Sequence, residues 1–176
     1  MDKIVLITGA TSGIGEACAK KFAADGDHLI ITGRRAERLQ KLTAELENNY
    51  GVKILPLVFD VQDRQAVEST LGTLTAEWQQ IDILINNAGL ASGRASFENA
   101  DMNDWETMLN TNVYGLLYVS KAIVPFMIAR KKGHIINMGS IAGKEVYENG
   151  NVYCASKFAV DAINKAMRID LLKHNI

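Results

Sequence analysis

Short, nearly continuous apolar runs alternate along the chain with longer segments in which apolar residues recur at helical spacing. Continuous apolarity is typical of strands that are covered on both faces. The apolar runs occupy residues 4–7, 29–31, 54–59, 83–85 and 135–138. The segments between and after them predict helices over residues 14–24, 36–48, 64–78, 105–130 and 152–173.

Five strand–helix units in alternation predict an α/β fold with a parallel, doubly wound sheet of Rossmann type. We expect the strand order 3-2-1-4-5, with ligand chemistry at the carboxyl ends of the strands near the switch between strands 1 and 4. The sequence has no repeat, low-complexity tract or Pro/Ser-rich linker. The chain is therefore expected to be a single domain, residues 1–176.

Charge and composition narrow the classes of partner. The 176 residues carry 19 Lys+Arg and 20 Asp+Glu, a net charge of −1, which argues against nucleic acid or an anionic membrane as the main partner. We expect no transmembrane segment, because no apolar run approaches about 18 residues, and the N-terminus lacks the pattern of an export signal. Cys18 and Cys154 have no metal spacing, so free thiols, a cytoplasmic location and no metal are expected.

A glycine-rich segment directly follows the first predicted strand. Residues 8–15 read Thr-Gly-Ala-Thr-Ser-Gly-Ile-Gly and precede a helix. Glycines allow a tight turn and a close backbone approach, and a helix N-terminus suits a diphosphate. The predicted phosphate cradle comprises Gly9, Ser12, Gly13, Ile14 and Gly15. The spacing lacks the Gly-Lys-Ser/Thr ending of an ATP-type loop, and a turn that merely packs helix on strand is the alternative.

Two arginines follow the second strand, where a carboxylate would select NAD. Guanidinium groups match the 2′-phosphate of NADP. Cations at a helix N-terminus are unfavourable because they oppose the helix dipole, so two adjacent arginines there indicate a specific role. We therefore predict NADP binding through Arg34 and Arg35, with Arg34 the stronger candidate. A solvated helix start is the alternative.

Polar residues also follow the third and fourth strands. Asp60 could hydrogen-bond an adenine amino group or cap the next helix, a role for which Asp63 competes. The Asn-Asn-Ala-Gly sequence over residues 86–89 could hold a loop open beside a cofactor or form an ordinary turn.

A tyrosine and a lysine stand four residues apart at the start of the last predicted helix. Tyr153 and Lys157 therefore share one helix face. A phenol ordinarily has a pKa near 10, and a nearby ammonium favours the phenolate, which gives an acid or base for carbonyl and alcohol chemistry. Ser140, after the fifth strand, could hold the substrate oxygen, and Asn112 is a poor helix former in a helical stretch. A Tyr-x-x-x-Lys pair also occurs by chance in helices. A hydrolase nucleophile at Ser140 is disfavoured, because Met138 replaces the first glycine of the Gly-x-Ser-x-Gly motif.

Taken together, these motifs resemble the short-chain dehydrogenase/reductase superfamily over the whole chain. The resemblance implies a catalytic tetrad of Asn112, Ser140, Tyr153 and Lys157. In that family the tyrosine exchanges the proton, the serine positions the oxygen, the lysine assists the tyrosine and contacts the nicotinamide ribose, and the asparagine sustains a proton relay. It also implies that Asp60 and Val61 contact adenine and that Asn87, Ala88 and Gly89 line the cofactor.

Within the superfamily, residues 33–39, 81–90 and 104–108 look like the NADP-dependent 3-hydroxy acid dehydrogenases. A small substrate such as serine is therefore expected, with a 3-oxoacyl thioester reductase or a catalytically silent nucleotide-binding scaffold as alternatives. The resemblance further implies a homodimer or homotetramer through the last two predicted helices. Family members continue beyond this point with a sixth strand and a substrate lid, so we expect an incomplete domain and weak activity from 176 residues alone.

Overall fold

The computed structural model describes residues 2–176 and contains one five-stranded parallel sheet. The strand order, β3-β2-β1-β4-β5, confirms the predicted doubly wound topology. The strands are β1 (Ile4–Ile7), β2 (His28–Gly33), β3 (Ile54–Val58), β4 (Ile81–Asn86) and β5 (His134–Asn137). β3 and β5 form the edges, and Pro56 lies on the β3 edge, where a missing N–H is tolerated.

Within residues 2–176, six α-helices connect or follow the strands. They are α1 (Gly13–Ala24), α2 (Ala36–Tyr50), α3 (Arg64–Gly72), α4 (Met102–Leu109), α5 (Leu116–Arg130) and α6 (Asn151–Leu171). The expectation that the third helix reaches residue 78 is wrong, because it ends at Gly72 and the chain turns there. Glycine favours helix ends, since it loses the most backbone entropy in a helix.

Alternate residues of each central strand supply the two halves of the core. Val5 and Ile7 of β1 pack beneath α1 and α2, whereas Leu6 packs on the opposite face with Val119 and Ile123 of α5. All five side chains are fully buried. The continuous apolar runs thus reflect a sheet covered on both faces, as the sequence predicts.

The predicted helix over residues 105–130 is interrupted by a π-helical segment, Asn110–Gly115. Such a segment inserts one residue into a helix and is frequent at functional sites. Thr111 and Asn112, both within it, are buried polar residues. The segment therefore turns polar side chains inward at the level of the carboxyl ends of the strands.

One helical stretch modifies the expectation that no segment is apolar enough to cross a membrane. By length and composition alone, Met102–Arg130 would qualify. Polar residues of the π-helical segment interrupt its apolar sequence, so it contains no unbroken run of spanning length. In the fold, Val119, Ile123 and Met127 of this stretch are buried in the sheet core. A helix buried in a protein core can have the same length and apolar composition as a membrane-spanning helix.

A half-buried cluster of ion pairs lies at the amino ends of β1 and β4. Asp82 accepts hydrogen bonds from Arg130 Nη2 at 2.8 Å and from the backbone N–H of Ile4 at 3.1 Å, and Lys132 Nζ lies 2.8 Å away. Burial by itself would raise the pKa of Asp82, but these partners together lower it below its ordinary value. The carboxylate is therefore more stable in the folded protein than in the unfolded chain.

We expect Asp82→Asn to lower the free energy of unfolding by about 1–3 kcal/mol at pH 7, because it removes a charge-assisted bond and leaves Arg130 without its carboxylate. A carboxyl with a lowered folded pKa contributes stability above its unfolded pKa, about 3.9, and loses it as the pH falls through the folded pKa. The difference from wild type should therefore shrink toward pH 3 in urea titrations.

Asp170→Asn is the matched control, because Asp170 is exposed and has no ion pair within the described chain. Its unfolding free energy should follow wild type at both pH values. A pH-independent deficit in Asp82→Asn would contradict the electrostatic account.

Candidate active site

A cavity of about 520 Å³ opens at the carboxyl ends of β1, β2 and β4, where the topology predicts a ligand site. Arg34, Arg35 and Asp60 line one part of it, and Tyr153 and Lys157 line another. The glycine-rich loop after β1 joins the two parts. The fold thus brings residues from the first and last thirds of the chain to one cavity.

The glycine loop depends on glycine for two different reasons. Gly13 has φ +57°, a left-handed conformation that side chains rarely adopt, and nothing lies within 4 Å of where its Cβ would be. A Cβ on Gly15 would instead overlap Gly9 O and Asn87 Nδ2. The Asn87 side chain donates to Thr8 O at 2.9 Å and to Gly9 O at 3.2 Å. Asn87 therefore fastens the loop, which is more than an ordinary turn requires.

The N-terminus of α1 faces this cavity without a side-chain cap. Ser12 stands at the cap position but makes no capping hydrogen bond in the described chain. Arg35 Nη2 donates to Ser12 Oγ at 2.9 Å and to Thr11 Oγ1 at 2.7 Å. By contrast, Asp63 caps α3 by accepting from Ala66 N. Uncapped N–H groups beside open space are suited to an anionic group such as phosphate.

The two arginines have different surroundings. The Arg35 guanidinium is tied to the glycine loop, whereas Arg34 is exposed and reaches Asp60 Oδ2 only at 3.4 Å. Asp60 Oδ1 also accepts from Gln62 N at 3.0 Å. Because Asp63 takes the capping role, Asp60 stays at the cavity wall beside Val61. Both arginines line the cavity, and Arg34 has the freer guanidinium.

Lys157 is a buried cation at the wall of the cavity. Its side chain is 7% exposed, and Nζ donates to Met138 O at 2.8 Å. Burial lowers the pKa of Lys157 below its ordinary value, and no carboxylate forms an ion pair with it within residues 2–176. Tyr153 lies one helical turn earlier and lines the same cavity. The ammonium therefore has donor capacity left for groups in the cavity.

Asn112 lies behind the cavity wall, in the π-helical segment. Its Nδ2 donates to Leu90 O at 2.8 Å and to Ser156 Oγ at 3.0 Å, and its Oδ1 accepts from Leu90 N at 2.8 Å. Ser156 Oγ in turn donates to Tyr153 O at 2.8 Å. The asparagine therefore links the segment after β4 to the helix that carries Tyr153. Gly89 allows this approach, since its Cβ would lie 3.2 Å from Asn112 Oδ1.

Ser140 lies at the rim and is exposed. Its Oγ accepts from Ala142 N at 3.1 Å and so caps a short 3₁₀ turn, Ile141–Gly143, which leaves its O–H free to donate. Gly143 packs that turn on α6, because a Cβ there would lie 2.6 Å from Lys157 O. No hydrogen bond joins Ser140 to Tyr153 within the described residues. Of the four expected tetrad members, Tyr153 and Lys157 line the cavity, while Asn112 and Ser140 flank it.

Two contributors to the site lie inside sequence motifs that do not single them out. Ser156, which is fully buried, connects Asn112 with Tyr153, and Thr11 anchors Arg35. Their partners lie far away in the sequence, so spacing alone does not identify them. Among residues 2–176, no cluster of metal-ligating side chains is found.

The family model for short chain dehydrogenases matches residues 3–176. The chain belongs to the short-chain dehydrogenase family. Its similarity to curated members includes 49% identity to the Escherichia coli (strain K12) NADP-dependent 3-hydroxy acid dehydrogenase YdfG, over 96% of this chain and 66% of that protein. The Schizosaccharomyces pombe NADP-dependent 3-hydroxy acid dehydrogenase is 39% identical over 99% of this chain and 68% of its own length. The chain thus spans about two thirds of these family members.

Solved structures of short-chain dehydrogenases match the fold closely. Serine dehydrogenase from Escherichia coli superposes with a TM-score of 0.90 at 48% identity, covering 96% of this chain and 75% of that one. An NAD⁺-bound xylitol dehydrogenase reaches a TM-score of 0.94 at 33% identity, over 99% of this chain and 66% of that one. A closed form of serine dehydrogenase complexed with NADP⁺ also matches, with a TM-score of 0.89. Structures that hold NADP⁺ and NAD⁺ thus share this fold, so cofactor choice must depend on individual residues.

We expect Gly15→Ala to lower the free energy of unfolding by about 1–3 kcal/mol, because the added methyl overlaps Gly9 O and the Asn87 amide. It should also weaken binding of any anion at the start of α1. Gly72→Ala is the matched control: no atom lies within 4 Å of its Cβ position and its φ is not in the left-handed region, so the added methyl meets no clash. Thermal denaturation of both variants checks this, and equal stability of Gly15→Ala and wild type would contradict it.

Proposed function

We propose that this protein is an NADP(H)-dependent oxidoreductase that interconverts the CH–OH and C=O groups of a small 3-hydroxy acid such as serine. The observation that carries the proposal is that Tyr153 and Lys157, one turn apart on α6, line the same cavity as the uncapped α1 N-terminus and two arginines. The activities for which the relatives are named support the substrate class. Assembly as a dimer or tetramer and a cytoplasmic location stay predictions.

The residues present fit a dinucleotide phosphate. The first turn of α1 offers unpaired N–H groups for a diphosphate, and Gly13 leaves open space beside them. Arg34 and Arg35 would hold a ribose 2′-phosphate, since guanidinium groups match its geometry. Asp60 and Val61 would contact adenine, and residues 87–89 would line the cofactor. When bound, NADP⁺ supplies the hydride-accepting chemistry that no side chain provides.

The chain's own residues manage the proton. In the oxidative direction, Tyr153 Oη accepts the proton of the substrate hydroxyl, and in the reductive direction it returns a proton to the carbonyl oxygen. The buried Lys157 ammonium, which no carboxylate neutralises within the described residues, would supply positive charge to the same cavity that Tyr153 lines. The free O–H of Ser140 would hold the substrate oxygen next to Tyr153. Asn112 would act from behind the wall by holding Leu90 and, through Ser156, the Tyr153 turn.

Turnover tests the proposal directly. We expect purified protein to form NADPH from NADP⁺ with L-serine or 3-hydroxybutyrate as substrate. Tyr153→Phe should lower kcat by about 10²–10⁴-fold, since it removes the proton acceptor, while the Kd for NADP⁺ changes little. Tyr114→Phe, at an exposed position on the π-helical segment, should retain wild-type kcat. Unchanged turnover in Tyr153→Phe would rule out the mechanism, and activity only on 3-oxoacyl thioesters would rule out the substrate class.

Cofactor selectivity tests the arginines separately. We expect Arg34→Ala to raise the Kd for NADP⁺ about tenfold, a loss of about 1.4 kcal/mol, and to leave the Kd for NAD⁺ nearly unchanged. Arg35→Ala should weaken binding of both cofactors, because Arg35 also holds Thr11 and Ser12 of the glycine loop. Arg38→Ala, on the exposed face of α2, serves as the control in calorimetric titrations. Equal losses for NADP⁺ and NAD⁺ in Arg34→Ala would contradict the 2′-phosphate assignment.

A further inference from the structure

The loop over residues 90–96 leaves the cavity wall and is held by side chains from three other elements. At its start, Asn112 binds both the N–H and the carbonyl of Leu90. Next along the loop, Ser92 Oγ donates to the Asp104 carboxylate. Gly93 has φ +64°, and a Cβ there would overlap that same carboxylate. The first half of the loop is therefore fixed against the π-helical segment and α4.

Asn151 holds the second half of the loop. It is the first residue of α6 and lies two residues before Tyr153. Its Nδ2 donates to Ala95 O at 3.1 Å, and its Oδ1 accepts from Trp105 Nε1 at 3.0 Å and from Val152 N at 2.7 Å. One amide thus joins the loop, α4 and the first turn of the helix that carries Tyr153.

The Trp105 indole extends this connection. Its ring lies 4.9 Å from the ring of Phe97, in the short 3₁₀ turn that directly follows the loop. The far end of the loop is therefore anchored at Ala95 and again just beyond its end, at Phe97. The Asn151–Ala95 bond is the contact that ties the loop directly to the helix that carries Tyr153.

We propose that Asn151 is a positioning residue that holds the loop over residues 90–96, whose first two residues line the cavity, in place relative to Tyr153. Leu90 and Ala91 line the same cavity as Tyr153, so the separation of the loop from α6 sets the room for a substrate. Asn151 contacts neither the cofactor cradle nor the reacting atoms. The inference rests on the proposed function, because the positioned group is the tyrosine that exchanges the proton.

The variant Asn151→Asp distinguishes a role in positioning the loop from a role only in stabilising the start of α6. A carboxylate keeps acceptors for Trp105 Nε1 and Val152 N, and it favours a helix N-terminus, so α6 should still start at the same residue. It loses the donor to Ala95 and places a negative oxygen against that carbonyl. We expect kcat/KM for L-serine to fall about 10–100-fold, mainly through KM, because a small displacement of substrate-positioning groups has effects of this size. The Kd for NADP⁺ should stay within about twofold.

Asn149→Asp controls for the added charge. It introduces the same charge two residues earlier, and the Asn149 side chain makes no hydrogen bond within the described chain. Its KM should remain near that of wild type. Amide hydrogen exchange over residues 90–96 gives a second measurement that needs no turnover, and exchange should rise in Asn151→Asp only.

The outcomes separate this inference from the proposed function. A wild-type KM in Asn151→Asp, or an equal rise of KM in Asn149→Asp, would overturn the positioning role. If wild-type protein oxidises no hydroxy acid, the proposed function fails, and hydrogen exchange then decides the inference. Unchanged protection of residues 90–96 in Asn151→Asp would overturn it, whereas faster exchange confined to that loop would support it.

Discussion

The burial of the Lys157 ammonium, with no carboxylate paired to it among residues 2–176, is the constraint on which the site depends. A buried cation is unfavourable unless hydrogen bonds satisfy it, and here Met138 O, directly after β5, supplies the bond. The site can keep this charge because β5, the Ser140 turn and α6 are packed together, with Gly143 allowing the close approach. The positive charge is therefore held next to the cavity and is available to the neighbouring phenol and to bound hydroxyl groups.

The part of the cavity lined by Arg34 and Arg35 carries its positive charge in a different way. There the charge is exposed, as guanidinium groups and uncapped helix N–H groups, and it is suited to a ligand that brings several negative charges of its own. The exposed guanidinium groups and the buried Lys157 ammonium thus lie at separate places in the same cavity, so an anion at the arginines need not neutralise the lysine. Asn87 connects the two, because its amide fixes the glycine loop at the carboxyl end of β4.

The strands and their order could be predicted because short, continuous apolar runs between helical segments are typical of a parallel sheet covered on both faces. The end of α3 could not be predicted, because the sequence beyond Gly72 keeps a helix-like pattern of polar and apolar residues although the helix stops there. The cavity's glycines, arginines, Tyr153 and Lys157 were identifiable because their chemistry depends on local spacing. Asn151, Ser156 and the Arg35–Thr11 contact were not, because each depends on a bond to a residue distant in sequence.

The π-helical segment between α4 and α5 has a consequence for how the chain tolerates change. Each residue rotates a regular helix by about 100°, so the extra residue in this segment sets the rotational phase of everything that follows it. With it, Asn112 faces the cavity wall while Val119, Ile123 and Met127 still face the sheet. After a single-residue deletion here, either Asn112 or the apolar residues of α5 would be rotated away from their present contacts. Length is therefore as constrained as composition in this stretch of the chain.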